Sequence, residues 1–274
     1  MKFAVILPAA GSSSRYTATG GLRHKLDEDL GGKPVLQRTV ELFTKFEPRE
    51  GSIASIIVAG PAADEPFAEF KDRHADRLAL LGASICRGGS THRWETVRNA
   101  LALVPPDCTH VAVHDAARPC ASLELLDRVF DAARRHAAVI PAIDVPDTIK
   151  RVRDTGEAEI DDDPAAAILG AAPKGRTVRV VEATVPRENL VLVQTPQVFE
   201  VGLLRRAYAQ EDLSSTDDAS LIERLAAAGD ATARVTIVEG ESRNIKITKG
   251  ADLAFARQIM GLKETEGRAV HKRF

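Results

Sequence analysis

The stretch FAVILPAAGSSSRYTATGGLRHKLDEDLGGKP, residues 3–34, decides the fold of this chain. It opens with a short apolar run, Phe3 to Leu7, and continues through a turn of small residues into a long polar loop. An apolar run of this length, bounded by turn signals, is typical of a buried strand in a parallel sheet. Small residues after such a strand let a ligand approach the backbone, whose N–H groups can hold phosphate oxygens. Arg15, Arg23 and Lys25 would supply the opposing positive charge.

The loop carries neither of two familiar phosphate-binding patterns. Three serines follow Gly11, which excludes G-x-G-x-x-G, and no Gly-Lys-Ser/Thr closes the loop as in Walker A. An ordinary strand-to-helix connection with solvated charges is therefore an alternative interpretation of this stretch taken alone. A dehydrogenase is disfavoured because its glycine fingerprint is missing.

Composition places the chain among ordinary globular proteins and disfavours several functional classes. Its 274 residues, 44% of them hydrophobic, can bury a sizeable core. The net charge of −2 disfavours a nucleic-acid or membrane-surface role, so an anionic ligand must meet local positive charge. No stretch approaches transmembrane length. Three cysteines without C-x-x-C spacing disfavour a disulfide framework or zinc site and predict a reducing cytoplasm.

Beyond residue 34, apolar strands and helical patterns alternate as far as residue 143. Pro34 is expected as the first residue of a helix whose apolar face carries Leu36, Val40, Phe43 and Phe46. Further buried strands are predicted at Ile53–Ala59, Ala83–Cys86, His110–His114 and Ala138–Ile143. This alternation predicts an α/β fold with a mostly parallel, twisted sheet, right-handed crossovers and helices on both faces.

The alternation breaks after residue 143. Extended ribbons are expected at Thr148–Arg153 and Thr177–Ala183, with a loop between them. Such a hairpin buries little of its own surface, so it is expected to pack on a partner subunit or, as an alternative, to form a surface flap on a monomer. Later predictions are a helix capped by Ser214 or Ser215 and strands at Leu190–Val193, Arg234–Val238 and Asn244–Thr248.

The residues that follow the predicted strands indicate the kind of site. In open α/β sheets, ligands bind beyond the carboxyl ends of the strands. The stretches at those positions are rich in Arg and Lys and contain one well-placed carboxylate, Asp115. A cationic crevice with a single carboxylate predicts phosphate chemistry assisted by a magnesium ion. No Ser-His-Asp order and no nucleophile elbow occurs.

Seven motifs, in order, carry a resemblance to a known family: LPAAGSSSR…K, GGSTHRWETV, VHDAARP, DVPDTIK, VQTPQVF, STDDASL and ESRNIKIT. Together they resemble the 2-C-methyl-D-erythritol 4-phosphate cytidylyltransferases of the non-mevalonate isoprenoid pathway. The resemblance implies a single Rossmann-like (GT-A-like) nucleotidyltransferase domain over residues 1–263, with a protruding β-arm at about 147–189 and a flexible tail at 264–274. It also implies a homodimer whose subunits interlock through the arm.

The family reaction transfers CMP from CTP to 2-C-methyl-D-erythritol 4-phosphate, with Mg²⁺ as cofactor, and releases pyrophosphate. The resemblance therefore implies a cytoplasmic enzyme of isoprenoid biosynthesis that binds CTP and a sugar-alcohol phosphate. Two alternatives stay open at this point. One is a ribitol-5-phosphate cytidylyltransferase, and the other is a non-catalytic nucleotide-binding protein of the same fold.

The resemblance also implies roles for individual residues. The residues implied as catalytic are Arg15, Lys25, Lys246 and Arg187. Those implied to bind the nucleotide are Ala9, Ala10, Gly11, Gly88 and Thr96. Those implied to bind the acceptor are Arg118, Thr148, Arg187, Thr195 and Lys246. Arg15 and Lys25 would stabilise charge on the α-phosphate, and Asp115 would lie near the magnesium ion and the acceptor.

The chain departs from the family pattern in its first loop and its arm. Ser13 stands where the family has a second glycine, His24 and Leu26 flank the lysine in place of proline and glutamine, and the arm carries an extra segment at about 161–176. Two simpler interpretations are that Asp115 caps a helix and that Arg187 pairs with Glu182 or Glu188. Four histidines without ligand spacing are interpreted as ordinary satisfied side chains: His24, His92, His110 and His114.

Overall fold

The computed structural model describes residues 1–21, 23–160 and 175–262. The chain divides into two compact units: Met1–Ile143 with the chain from Val193 onward, and Asp144–Leu192. The predicted tail at 264–274 and nearly all of the extra arm segment lie outside the described residues. No helix within the described ranges is both long and apolar enough to cross a membrane.

The strands are, in chain order, β1 (Lys2–Pro8), β2 (Ser52–Gly60), β3 (Ala83–Arg87), β4 (His110–Val113), β5 (Ala138–Asp144), β6 (Ile149–Ile160), β7 (Gly175–Val185), β8 (Val191–Val193), β9 (Gln197–Glu200) and β10 (Val235–Glu239). The first unit is built on a sheet with the order β10-β5-β9-β4-β1-β2-β3. Neighbouring strands in it are parallel, except that β9 lies antiparallel between β4 and β5. The predicted α/β class with a mostly parallel sheet is therefore confirmed.

The helices are α1 (Ser14–Thr17), α2 (Val35–Lys45), α3 (Asp64–Leu80), α4 (Arg93–Leu101), α5 (Leu123–Ala132), α6 (Val201–Tyr208), α7 (Ala219–Ala227) and α8 (Gly250–Ile259). Side chains that accept hydrogen bonds from backbone N–H groups fix where two of these helices begin. The Glu95 carboxylate accepts from the N–H groups of Thr91 (2.8 Å) and His92 (3.0 Å) and so sets the start of α4. Ser122 Oγ accepts from the Leu125 N–H at 2.9 Å and caps α5.

The core lies on both faces of the sheet because side chains alternate along each strand. In β1, Phe3, Val5 and Leu7 pack on the face covered by α2, α3, α5 and α8. Ala4 and Ile6 pack on the opposite face, which α4, α6 and α7 cover. Strand β1 thus has no polar face, and from Phe3 to Leu7 its side chains are buried on both sides of the sheet.

Three sequence predictions for the first unit are corrected by the structure. Residues 244–248 form no strand, because the Asn244 amide is used to bond the Thr195 carbonyl (2.8 Å) and Gln194 (3.2 Å). Helix α7 begins after Asp218 and not near Ser214, because the Asp212 carboxylate accepts from both the N–H and the hydroxyl of Ser214. Pro34 precedes α2 as its N-cap residue and is not its first helical residue.

The second unit contains the two predicted ribbons, which pair antiparallel as β6 and β7. The observed strands are longer than the predicted ones, and their register places Ile149 opposite Val185. The Lys150 ammonium donates to Thr184 Oγ1 at 2.6 Å across the pair. The residues proposed as an arm, about 147–189, fall within this unit.

Candidate active site

A cavity of about 350 Å³ opens where β1 and β4 end. The residues that line it include Ala9, Ala10, Gly11, Lys25, Arg93, Thr96, Asp115 and Lys246. The parallel direction of β1 and β4 brings the loops that follow them to the same edge of the sheet. The structure thus brings together the first loop and the residue after β4, as the sequence predicts.

A second cavity, of about 380 Å³, adjoins the first. Its lining includes Arg118, Gln194, Thr195 and Gln197, and it shares Arg93, Asp115 and Lys246 with the first cavity. Gln194 and Thr195 reach this edge because β9 runs antiparallel, so its beginning lies beside the ends of its neighbours. The two cavities meet at one carboxylate and two cations.

The first loop encloses a smaller recess of about 200 Å³ lined by Gly11 to Tyr16, Lys25 and Thr248. Ser13 adopts a left-handed conformation with φ of 57°. Its hydroxyl is buried and has no hydrogen-bond partner among the described residues. Arg15 lies on α1 with an exposed side chain. A recess with an unsatisfied hydroxyl and two cations has the chemistry to accept anionic oxygens.

Asp115 is the electrostatic centre of the edge. It is 8% exposed, and its Oδ2 lies 3.0 Å from Lys246 Nζ and 3.1 Å from Arg118 Nε. Arg93 Nε lies 3.8 Å from Oδ1. Burial alone would raise the pKa of this carboxyl, but the charges of Lys246, Arg93 and Arg118 lower it well below the usual range. Asp115 therefore stays ionised, and it holds Lys246 and Arg118 in place. No helix begins at Asp115.

Lys25 is in the opposite situation. Burial lowers the pKa of its ammonium, and the nearby charges of Lys246 and Arg15 lower it further. No ion pair of Lys25 occurs among the described residues. The His24 ring fixes this part of the loop, since its Nε2 donates to the Gly11 carbonyl at 2.7 Å and its Nδ1 accepts from the Leu26 N–H at 3.3 Å. Lys25 is thus held as a partly desolvated cation that lacks an anion.

A chain of buried hydrogen bonds through His114 and Thr195 holds the backbone of Asp115. His114 Nε2 lies 3.0 Å from the Arg118 carbonyl, which only accepts, so Nε2 carries the proton and Nδ1 accepts from the Thr195 hydroxyl at 3.2 Å. The same hydroxyl accepts from the Asp115 N–H at 3.0 Å. Burial lowers the pKa of His114 to about 4, so the ring is neutral at pH 7. Thr195 is therefore placed to hold the backbone of Asp115.

Of Thr96 and Gly88, the two residues after β3 that are implied to bind the nucleotide, Thr96 lines the first cavity. Its hydroxyl accepts from the Gly89 N–H at 3.0 Å. Gly88 lies behind the wall, where a Cβ would come within 2.5 Å of the Gly60 carbonyl oxygen and 2.8 Å of the Ala10 Cβ. Gly88 thus permits close packing of β2, β3 and the first loop, and its implied contact with the nucleotide stays a prediction.

Thr148 and Arg187 lie in the second unit. Thr148 is exposed and directly precedes β6. Arg187 Nη1 donates to the Pro146 carbonyl, and no ion pair of Arg187 with Glu182 or Glu188 occurs in the described part of the chain. The implied roles of both residues in binding the acceptor stay predictions.

Sequence reasoning missed the buried partners of the site. Arg93 Nη1 lies 2.7 Å from Asp218 Oδ2, and Asp218 is fully buried. Gln194 Oε1 accepts from the Glu241 N–H (3.1 Å) and the Asn244 amide (3.2 Å), which orders the segment that carries Lys246. Arg93 and Asp218 are 125 residues apart in the chain. Both occur in quoted motifs, but nothing in one sequence pairs them.

The donor set fits a magnesium ion only in part. Within the described ranges no group of three or more His, Cys, Asp or Glu side chains could hold a metal, and Asp115 is the only described carboxylate that lines the first cavity. Mg²⁺ is usually bound by one or two carboxylates together with substrate phosphates and water. The residues therefore fit an ion that arrives with a polyphosphate and contacts Asp115, and they do not fit a cage made of protein alone.

A wound, mostly parallel α/β sheet with a small-residue loop and fixed cations at its carboxyl edge defines a Rossmann-like nucleotidyltransferase. The family model for 2-C-methyl-D-erythritol 4-phosphate cytidylyltransferase matches residues 3–163 and 158–262. A relative of that name from Solibacter usitatus is 36% identical over 268 residues, which are 95% of this chain and 96% of the relative. Another, from Phocaeicola vulgatus, is 35% identical over 93% of this chain and 98% of its own length. The chain belongs to the 2-C-methyl-D-erythritol 4-phosphate cytidylyltransferase family.

Solved structures agree with this assignment. The cytidylyltransferase from Thermus thermophilus is 32% identical and aligns with a TM-score of 0.65, covering 96% of this chain and all of that one. The enzyme from Francisella tularensis aligns with a TM-score of 0.67 at 26% identity, covering 94% of this chain and all of that one. The family resemblance predicted from the motifs is thus confirmed.

Proposed function

We propose that this chain transfers CMP from CTP to 2-C-methyl-D-erythritol 4-phosphate, giving 4-diphosphocytidyl-2-C-methyl-D-erythritol and pyrophosphate. An oxygen of the acceptor phosphate forms a bond to the α-phosphorus, and the bond from the α-phosphorus to the bridging oxygen of the β-phosphate breaks. Pyrophosphate leaves with that electron pair. The family membership of the chain and the names of its relatives support this acceptor, so ribitol 5-phosphate is not favoured.

The observation that carries this proposal is the junction of two cavities at Asp115 and Lys246. One cavity includes the first loop and takes the nucleotide, and the other takes the acceptor phosphate. The nucleophile is already ionised at neutral pH, so the reaction needs no general base. The barrier is electrostatic, because two anions must meet while charge grows on the transferred phosphoryl group.

The charged residues act on that barrier in a fixed geometry. Lys25 lacks an anionic partner among the described residues, so its ammonium is available to the α-phosphate, with Arg15 at the rim of the loop recess. Asp115 holds Lys246 and Arg118 at 3.0 and 3.1 Å, so these two cations are in position before the acceptor binds. Prearranged charges need no reorganisation when the transition state forms.

Mg²⁺ is proposed as the cofactor, bound by nucleotide phosphates and Asp115, where it would neutralise the triphosphate and assist departure of pyrophosphate. The ammonium of Lys246 and the guanidinium of Arg118 already bond the carboxylate of Asp115. The nucleotide phosphates therefore supply most of the ligands in this proposal. The single carboxylate at the cavity junction and the polyphosphate substrate support the ion.

A homodimer through the second unit is also proposed. Exposed apolar side chains on that unit support it: Val181 is 61%, Leu192 49% and Leu190 40% exposed. Sedimentation velocity of the wild-type chain and of Val181→Asp tests this, with a dimer expected for the first and a monomer for the second. Leu80→Asp, at an 88% exposed position on α3, is the matched control and should stay dimeric. A monomeric wild type would contradict the proposed assembly.

A cytoplasmic location is proposed on chemical grounds. Cys86, Cys108 and Cys120 are all free thiols, which is typical of proteins in a reducing compartment.

The decisive test of the reaction is pyrophosphate release with a panel of substrates. CTP, ATP, GTP and UTP are each combined with 2-C-methyl-D-erythritol 4-phosphate or ribitol 5-phosphate in the presence of Mg²⁺. Release is expected with CTP and methylerythritol phosphate. CTP binding without pyrophosphate release from any combination would instead favour the non-catalytic nucleotide-binding protein considered from the sequence.

A further inference from the structure

Arg93 lies where the two cavities meet and has no role assigned from the family resemblance. It belongs to the first turn of α4, directly after the loop that follows β3. It is one of the three residues that line both cavities, together with Asp115 and Lys246. A quarter of its side chain is exposed there. The position therefore gives the guanidinium access to both reactants.

Asp218 and Tyr208 fix the orientation of this guanidinium. Asp218 is 0% exposed, and one of its oxygens accepts from Arg93 Nη1 at 2.7 Å. Its other oxygen accepts from the Tyr208 hydroxyl. A buried carboxylate is strongly disfavoured unless its charge is paired and its oxygens are bonded. This pair meets both conditions, so the carboxylate has one defined arrangement, and it dictates that of Arg93.

Arg93 also has N–H groups that do not bond Asp218 and can bind a ligand. Its Nε lies 3.8 Å from Asp115 Oδ1, which is an ion-pair distance and too long for a hydrogen bond. Its Nη2 has no hydrogen-bond partner among the described residues. Paired guanidinium N–H groups match the geometry of two phosphate oxygens.

We propose that Arg93 is a further catalytic residue that binds the phosphoryl group being transferred, and that Asp218 and Tyr208 are positioning residues for it. This inference rests on the proposed function, because it needs a phosphoryl group at the junction of the cavities. Lys25 and Arg93 then contribute from different elements, the first loop and α4. The positioning residues act only through the guanidinium.

The competing explanation for the Arg93–Asp218 pair is a purely structural role. In that case the pair is a staple, an ion pair that only joins the start of α4 to the start of α7. The two explanations differ in kinetics. A staple predicts loss of folded protein with unchanged turnover per folded molecule. A phosphoryl ligand predicts a fall in kcat that exceeds any change in either KM, because charge on the phosphoryl group grows in the transition state.

The first experiment measures kcat and both KM values for Arg93→Ala and Arg93→Lys by pyrophosphate release, with thermal unfolding of each variant. The alanine variant is expected to lose kcat by about 100-fold, as for removal of one oxyanion donor. The lysine variant should keep only part of the wild-type kcat, because a single ammonium does not reproduce the paired N–H groups of a guanidinium. Added guanidinium, at concentrations that leave wild-type activity unchanged, should restore turnover of the alanine variant.

The second experiment tests the positioning residues. Asp218→Asn and Tyr208→Phe should each lower kcat, by up to about 100-fold if the guanidinium of Arg93 moves by about 1 Å. Added guanidinium should restore the activity of neither variant, because the Arg93 side chain still occupies the site that the free ion would fill. Glu41→Gln is the matched control, since Glu41 is also a buried carboxylate paired with a lysine but lies outside both cavities. It should lose stability without a change in kcat.

Three results would overturn the inference. Wild-type kcat in folded Arg93→Ala would remove Arg93 from the reaction. A loss that matches the unfolded fraction and resists guanidinium would leave the staple as its role. Absence of pyrophosphate release by the wild-type protein would overturn the proposed function, and this inference with it, whereas the first two results leave the proposed function intact.

Discussion

Lys25 shows at the scale of one residue how a site for polyanions destabilises the unliganded protein. Its pKa is lowered because burial and the nearby Lys246 and Arg15 all disfavour the charged form. The ammonium nevertheless stays in the cavity, where the first loop and the His24 ring hold it. In the proposed function a bound polyphosphate would supply the missing anion, so the same residue that disfavours folding would favour binding.

Replacement of Lys25 by methionine is expected to lower kcat by about 100- to 1,000-fold, because one prearranged donor to the transition state is lost. The unliganded variant should unfold at a higher temperature than wild type, since a desolvated cation is removed. Pyrophosphate-release kinetics and calorimetry measure the two effects. Lys71→Met, on the exposed face of α3, is the control and should change neither. Wild-type kcat in Lys25→Met would remove this residue from catalysis.

The pH dependence of that stability difference follows from the direction of the pKa shift. The folded-state pKa of Lys25 lies below its ordinary value of 10.5, so the unfavourable charge is fully present below the folded-state pKa. Between the two values the folded chain binds fewer protons than the unfolded chain, and wild-type stability rises with pH. The stabilisation by Lys25→Met should therefore shrink as the pH is raised toward 10.5. A difference that grows with pH would contradict this assignment.

Thr195 gives a second prediction, because its hydroxyl serves two buried partners. Thr195→Val removes the acceptor of the Asp115 N–H and the donor to His114 Nδ1. We expect a loss of about 1–3 kcal/mol of stability for each buried group left unpaired, with lower kcat because the backbone of Asp115 shifts. Urea unfolding and steady-state kinetics test this. Thr195→Ser keeps the hydroxyl and should behave nearly as wild type; equal losses in both variants would refute the proposed hydrogen-bond role.

What the sequence predicts at this scale depends on how local the cause is. Lys25, Asp115 and Lys246 could be nominated because each follows a recognisable strand or lies in a quoted motif. The partners of Arg93 could not, since the burial of Asp218 and the bond from Tyr208 arise only when α4, α6 and α7 pack together. The motif that contains Gly88 implies a contact with the nucleotide, which stays a prediction. The packing of Gly88 against Gly60 and Ala10, which leaves no room for a Cβ, could not be predicted from the motif.

Strand β9 is the element that organises the second cavity. It has only four residues, yet Val198 and Phe199 are fully buried between β4 and β5. The beginning of this strand delivers Thr195 and Gln197 to the site. An element this short depends on its side-chain packing, because its ladder offers few hydrogen bonds.

Phe199→Ala should destabilise the protein by about 3–5 kcal/mol, the usual range for truncation of a buried phenylalanine. Activity of the folded fraction should fall as well, because the beginning of β9 carries Thr195. Phe255→Ala, at a position that is 60% exposed on α8, is the matched control and should change stability by no more than about 0.5 kcal/mol. Denaturant unfolding of both variants measures the difference, and similar losses would contradict the packing role.

Long, strongly patterned elements were predictable from the sequence, and short ones were not. The apolar run of β1 and the helical spacing of α2 have one plausible structure each. Residues 197–200 contain only two large apolar side chains, so no pattern distinguishes a reversed central strand from the end of a turn. The segment 244–248 has alternating apolar residues, Ile245 and Ile247, which predict a strand, but the side-chain bonds of Asn244 override that pattern.

At the scale of the whole molecule, five cations line the cavities at one edge of the sheet, in a chain whose net charge is −2: Arg15, Lys25, Arg93, Arg118 and Lys246. Steering of anions must therefore be local, and it acts over roughly a Debye length, about 10 Å at 0.1 M salt and about 3 Å at 1 M. Asp115 offsets part of the charge of Arg93, Arg118 and Lys246. Arg15 and Lys25 have no such offset among the described residues.

Pyrophosphate should stabilise the ligand-free protein, and the effect should weaken with salt. At a concentration about 100 times its dissociation constant, the expected gain is about 2.7 kcal/mol. Differential scanning calorimetry at low and high ionic strength, with phosphate as the comparison ligand, measures it. Lys25→Met should lose most of the gain and Lys71→Met should keep it. A salt-independent shift would show that pyrophosphate binds by something other than the cation cluster.

The reversed direction of β9 has a consequence for how this chain tolerates change in length. The polypeptide leaves the large sheet at the end of β5 and returns to it at β8, which pairs with β5 and is followed directly by β9. The end of β5 and the start of β9 lie on the same edge. Nothing has to cross the face of the sheet between them, so residues can be added to or deleted from the intervening excursion without rearranging the packed interior. Length variation among homologues can therefore accumulate at this one point of the chain while the enclosed framework keeps its register.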